Sequence, residues 1–265
     1  MSKAQVNGTE LYYELTGQGA ETVVLLHGLG SCTQDWECQV PILSKKFRVL
    51  TIDMRGHGQS AKSHGPFGIP QLSNDVIAIM DLLQINSAHL LGLSMGGMMA
   101  FQMAVSYPAR IKSLIIVNSA PGFIIPSLYY WFLVWQRLFF VRVMGMNRLG
   151  KIIAGDLLPK VEHSEVRERL IQRFPANDKQ IYLATLWGFI GWSVEDEIKN
   201  IDVPVYAIAA DNDYTPISLK EEYIEKLPNG RLDIVEDSRH LTPIDQSEKF
   251  NQMVMGFYED IMDVS

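Results

Sequence analysis

Short apolar runs with little alternation recur along the chain at Thr22–His27, Phe47–Asp53, His89–Leu93, Leu114–Asn118, Val203–Ala209 and Leu232–Glu236. Rich in Val, Ile and Leu, they predict strands buried on both faces, as in a parallel sheet. Between them, Ser73–Leu83, Met98–Ser106, Ser218–Leu227 and Gln246–Ile261 space their apolar residues at helical intervals, with Ser73 the expected N-cap of the first. Near the start, Asn7-Gly8 separates two strand-like segments and predicts a tight hairpin, because both turn positions need positive φ. Strands and helices alternate to about residue 120 and again from about residue 203, which predicts an α/β fold.

That rhythm stops between Gly122 and Ile201, a stretch of about eighty residues with helical patterns and no convincing strand. The expected organisation is a core formed by residues 1–121 and 202–265 with a helical cap inserted at 122–201. Six aromatic side chains fall between Phe123 and Trp135: Phe123, Tyr129, Tyr130, Trp131, Phe132 and Trp135. They are expected to pack over the core and in part to line a pocket, with a partner or membrane surface as the alternative. The longest apolar stretch, Phe123–Met146, contains Gln136, Arg137 and Arg142, which argues against a transmembrane segment.

Composition narrows the class. The chain has 265 residues, 47% of them hydrophobic and 20% charged, which suits one large globular domain or a domain with an insertion. A net charge of −7 and the lack of a basic stripe argue against a nucleic-acid partner. Cys32 and Cys38, the only cysteines, are too few for a disulfide framework and lack the companions of a zinc site, so no metal is expected. With no apolar run in its first residues, the chain is expected to be cytoplasmic.

The candidate chemistry centres on Gly92-Leu93-Ser94-Met95-Gly96, a G-x-S-x-G pattern between an apolar run and a helix-like segment. A turn this tight leaves Ser94 in strained geometry, with its hydroxyl at the carboxyl edge of the sheet over a helix N-terminus. Acyl transfer also needs two backbone donors for the developing oxyanion, and Leu29, in the loop His27-Gly28-Leu29-Gly30, and Met95 are the expected pair. His27 itself is expected to order that loop. A serine needs a base, and the base needs a carboxylate, in the chain order Ser, acid, His. His240 follows the last expected strand, and no other histidine lies beyond residue 163. Two carboxylates, Asp211 and Asp213, follow the strand that ends near Ala209; Asp213 is the choice and Asp211 the runner-up.

With these motifs in place, the sequence resembles the α/β-hydrolase superfamily over nearly its whole length, and within it the small single-chain esterases, thioesterases and lactonases. The resemblance rests on His27–Gly30, on Asp53-Met54-Arg55-Gly56-His57-Gly58-Gln59-Ser60, and on the elbow, acid and histidine in order. It implies a mostly parallel eight-stranded sheet with helices on both faces and a variable cap that sets substrate choice. It assigns a structural role to the Arg55-Gly56-His57-Gly58 turn, and its acid loop aligns on Ala210 so as to select Asp213. The implied activity is hydrolysis of a small-molecule carboxylic ester, thioester or lactone through an acyl-enzyme at Ser94, with no cofactor. A carbon–carbon bond hydrolase or a cofactor-free perhydrolase on the same three residues is the alternative; a non-catalytic small-ligand receptor is the alternative of another class.

Overall fold

In the computed structural model, residues 2–63, 65, 67–124 and 128–263 are described, the backbone alone at 128–130, 133, 137 and 140. The side chains of Tyr129 and Tyr130 therefore lie outside the described set.

The chain enters through the hairpin β1 (Ser2–Val6) and β2 (Thr9–Thr16). Asn7 at φ 46° and Gly8 at φ 75° close it, the positive pair that Asn-Gly supplies at little cost. Then follow β3 (Thr22–Leu26), the short α1 (Val40–Leu43), β4 (Arg48–Ile52), α2 (Ile69–Leu82), β5 (Ala88–Leu93), α3 (Met95–Ser106) and β6 (Ile111–Val117). After β6 come α4 (Leu128–Leu157), α5 (Ser164–Arg173) and α6 (Lys179–Phe189). The sheet resumes with β7 (Val205–Ala210), α7 (Ile217–Ile224), β8 (Gly230–Val235), α8 (Thr242–Asp245) and α9 (Ser247–Met262).

The eight strands run in the order β1-β2-β4-β3-β5-β6-β7-β8. Only β2 pairs antiparallel, with β1 and β4; the ladders from β4 to β8 are parallel. Alternate residues of the central strands feed two cores. Val24, Leu26, Leu50 and Ile52 face the layer that holds α2 and α3, while Val23, Leu25 and Val49 face Trp36, Phe250, Phe257 and Tyr258 on the other side. Apolar burial on both faces is why these strands read as near-continuous runs and not as alternation.

Two local expectations are corrected. Ser73 is an interior residue of α2, which begins at Ile69 after Gly68 with Pro70 in its first turn; the buried Ser73 hydroxyl points at Met99 O (3.4 Å) instead of capping. Pro is favoured at a helix start because it has no N–H to leave unpaired, and here it outweighs the serine signal. The aromatic stretch packs over the core only in part: Phe123 lies against it and meets Phe189 edge-on, while two other members face outward. Phe132 and Trp135 are 62% and 60% exposed on α4, and Trp135 meets Trp187 edge-on at 6.5 Å. The α4 segment breaks at Gly145, whose φ of 72° and ψ of 169° lie outside any helix. Among the described residues no helix is long and apolar enough to cross a membrane.

Candidate active site

β5 ends at Leu93 and α3 begins at Met95, so Ser94 alone turns the chain, with φ 54° and ψ −114°. A non-glycine residue adopts positive φ only when its surroundings hold it there. Here Ser94 N–H donates to Val117 O (2.9 Å), and Ser94 O accepts from Gly97 N–H (2.9 Å) and the Ser119 hydroxyl (2.6 Å). Gly92 and Gly96 make the turn possible: a Cβ on Gly92 would run into Gly96 O, and one on Gly96 into Leu26 O.

The loop after β3 lies beside Ser94, since a Cβ on Gly28 would sit 3.6 Å from Ser94 Cβ. Leu29 N–H and Met95 N–H have no hydrogen-bond acceptor among the described residues. His27 orders this loop: its Nδ1–H donates to Gly28 O (2.7 Å) and its Nε2 accepts from Met54 N–H (3.0 Å). Burial pushes this imidazole down to about 4 and that of His57 down to about 3, so both are neutral scaffold groups at neutral pH. Asp53 accepts from Thr33 N–H and Gln59 N–H at 2.7 Å each, and the buried Arg55 clamps Asp75 through Nε and Nη2 (2.5 and 2.6 Å).

At the neighbouring strand ends, Asp213 and His240 come together. Asp213 Oδ1 accepts a 2.7 Å hydrogen bond from His240 Nδ1, and the carboxylate is fully buried. Because an ionised carboxylate only accepts, Nδ1 carries the proton and Nε2 presents its lone pair. Burial works to raise the Asp213 carboxyl, but the bond and charge of His240, the Lys220 ammonium and the Thr215 hydroxyl together hold it down at about 2. Asp211 plays a different part: its oxygens accept from Ser238 N–H and Asp237 N–H (3.0 Å each), clasping the loop that carries His240. The runner-up acid therefore holds the loop, and Asp213 touches the imidazole.

Three further residues were not singled out in the sequence. Asn118, buried at φ 46° just beyond β6, donates to His240 O and Thr242 Oγ1 (2.9 Å each) and accepts from Ala210 N–H (2.8 Å). It joins the Ser94 turn, whose N–H pairs with the preceding Val117, to the loops of both Asp213 and His240. Lys220 is 1% exposed and bonds Asp213 Oδ2 at 3.0 Å. Tyr214 stacks on the His240 ring at 4.1 Å, and its O–H donates to Nε2 at 2.6 Å. His240 Nε2 thus faces the phenol, while Ser94 Oγ makes no hydrogen bond among the described residues. An Asn after a strand and a Lys in a helical repeat carry no distinguishing signal; Tyr214 could have been noticed only from its place between the acid and Thr-Pro.

A cavity of about 270 Å³ adjoins the site through Leu29 and Leu241. Its outer wall comes from Ile153, Leu157, Leu170 and Phe174, in the second half of α4 and in and after α5, with Arg173, Asp35 and Asp53 as its charged members. Among the described residues of Phe123–Trp135, none lines this cavity. No group of His, Cys, Asp and Glu able to hold a metal ion occurs among the described residues.

Comparison with known proteins agrees with this fold. Residues 21–247 match the model of the alpha/beta hydrolase fold family. The 3-oxoadipate enol-lactonase 2 of Acinetobacter baylyi is 28% identical, over 92% of this chain and 91% of that protein. RutD of Caulobacter sp. (strain K31), named for carbamate hydrolysis, is 29% identical over 97% and 98%. Among solved structures, the enol-lactonase from Burkholderia xenovorans LB400 superposes with a TM-score of 0.87 at 31% identity, covering 97% of this chain and 100% of that one. With its sheet order, its single-residue elbow and a family match over most of its length, the chain belongs to the α/β-hydrolase fold family.

Proposed function

We propose that this enzyme hydrolyses small carboxylic esters or lactones through an acyl-enzyme on Ser94, with His240 as base and Asp213 as its carboxylate. The observation that carries the reading is the Asp213–His240 bond of 2.7 Å at the same sheet edge as the strained Ser94. The enol-lactonase relatives support the ester-like bond as the target.

In the proposed sequence, His240 Nε2 takes the Ser94 proton as Oγ attacks the acyl carbon. The C=O electron pair moves to oxygen, where Leu29 N–H and Met95 N–H hold the oxyanion. Collapse expels the alkoxide, which takes the proton from His240; in a lactone it stays tethered to the acyl group. Water then attacks the acyl-enzyme, giving its proton to Nε2; collapse breaks the Oγ–acyl bond, Ser94 Oγ takes that proton back from His240, and the acid leaves. Asp213 keeps the imidazole in the Nδ1–H tautomer and balances its transient charge. Residues 122–201 would act as the cap over the site, with the cavity behind Leu29 receiving part of the substrate.

The test is stopped-flow hydrolysis of p-nitrophenyl acetate beside a steady-state panel of lactones, thioesters and alkyl esters. A burst of nitrophenol equal to the enzyme concentration, followed by slower turnover, supports the acyl-enzyme. Absence of turnover over the whole panel favours a receptor for a small ligand.

A further inference from the structure

Lys220 is the one ammonium in contact with the acid of the site among the described residues, and it is buried with it: 1% and 0% of the two side chains are exposed. All three of its donors are used. Nζ bonds Asp213 Oδ2 (3.0 Å), Thr215 O (2.6 Å) and Thr215 Oγ1, and the Thr215 hydroxyl in turn bonds Asp213 Oδ2. The carboxylate is thereby divided, with Oδ2 held by Lys220 and Thr215 and Oδ1 left to His240 Nδ1. A buried lysine is costly to ionise unless paired, and a buried carboxylate likewise, so each is the condition for the other.

Resting on the proposed roles of Ser94, His240 and Asp213, we propose that Lys220 is a positioning residue that aims Asp213 at His240 and sets the lower pH limit of catalysis. A lone carboxylate would lend its whole charge to the imidazolium and hold the proton on His240 to higher pH. With an ammonium on its other oxygen, the pair Asp213–Lys220 is neutral as a unit, so less net negative charge faces the imidazolium. The same cation keeps Asp213 ionised despite its burial, where burial itself holds Lys220 below the usual ammonium range. Other charged or titratable groups border His240. Tyr214 faces Nε2; Asp211 binds the loop backbone; Asp245 accepts from Arg239 N–H; and Lys160, His163 and Asp156 reach Asp237, Asp245 and Arg239 from the helical segment. All remain in a Lys220 variant, so the difference between two profiles isolates the ammonium.

The experiment compares kcat/KM for p-nitrophenyl acetate from about pH 5 to about pH 9 in the wild type, Lys220→Met, Lys220→Gln and Lys220→Arg, with circular dichroism as a fold control. Removing the charge is expected to move the acid limb upward by roughly one pH unit or more. The loss should be about tenfold on the acid side and shrink toward the alkaline end, while Lys220→Arg should return the limb toward the wild type. A purely structural lysine would give a loss equal at every pH, and that result, an unmoved limb, or failure of both the Met and Gln variants to fold overturns the proposal. Ser94→Ala in the same assay separates the two readings. Retained activity there removes the assigned mechanism, whereas an inactive Ser94→Ala with an unmoved Lys220 limb removes only the role of Lys220.

Discussion

The phenol of Tyr214 donates to Nε2 of His240 at 2.6 Å, with the two rings 4.1 Å apart. That nitrogen is the atom that must receive the Ser94 proton in the proposed chemistry, so the hydroxyl and the serine compete for one lone pair. Tyr214 is 58% exposed on the loop between β7 and α7.

Tyr214→Phe removes the competitor and keeps the stacked ring. A net hydrogen bond of this kind contributes about 1 kcal/mol, so kcat/KM for a small aryl ester is expected to rise by up to about fivefold. Steady-state kinetics on the two proteins checks this, and a fall in rate would mean that the phenol assists the reaction.

The two carboxylates of the acid loop should separate cleanly. Asp213→Asn presents an amide to Nδ1, disfavours the required tautomer and cannot balance the imidazolium, so turnover is expected to drop on the order of 10³-fold to 10⁴-fold. Asp211→Asn keeps one acceptor for the two backbone N–H groups it binds and is expected to cost less than about tenfold, together with about 1 kcal/mol of stability. Measuring both with thermal melts distinguishes a damaged base from a loosened loop.

His27 and His57 predict how stability depends on pH. Each titrates near 6.5 when unfolded and is pushed by burial to about 4 and about 3 in the fold. Below about pH 6.5 the unfolded chain therefore binds protons that the folded chain refuses, and stability falls as the pH falls, by up to about 1.4 kcal/mol per pH unit for each imidazole. Urea unfolding at a series of pH values gives the slope. His57→Gln should reduce that slope by about one proton; an unchanged slope would show that His57 is already charged in the fold.

Much of this architecture was legible in the sequence because it depends on local patterns. Runs such as Val23–Leu26 are buried on both faces and so announce a parallel sheet, and Asn7-Gly8 fixes its hairpin through backbone preference alone. Ser94 was legible because its turn requires Gly92 and Gly96, and His240 because it follows the last strand. The boundary at Ser73 was misread since Pro70 carried the stronger start signal. Asn118, Lys220 and Tyr214 were illegible for a different reason: their roles arise where loops from distant strands meet. A lysine four residues into a helix looks solvated until the fold sets it on a buried carboxylate. The outward face of Phe132 and Trp135 likewise depends on how the helices between β6 and β7 pack, which periodicity leaves open.

The central claim is that Ser94 is an activated nucleophile, and the most direct measurement is the site of covalent labelling by an aryl organophosphonate, read by peptide mass. An activated serine attacks phosphorus and expels the leaving group, leaving a stable adduct. The account predicts one adduct per chain, located on Ser94, with no labelling of Ser94→Ala. An adduct on another serine, or none in an enzyme that still turns over esters, would contradict it.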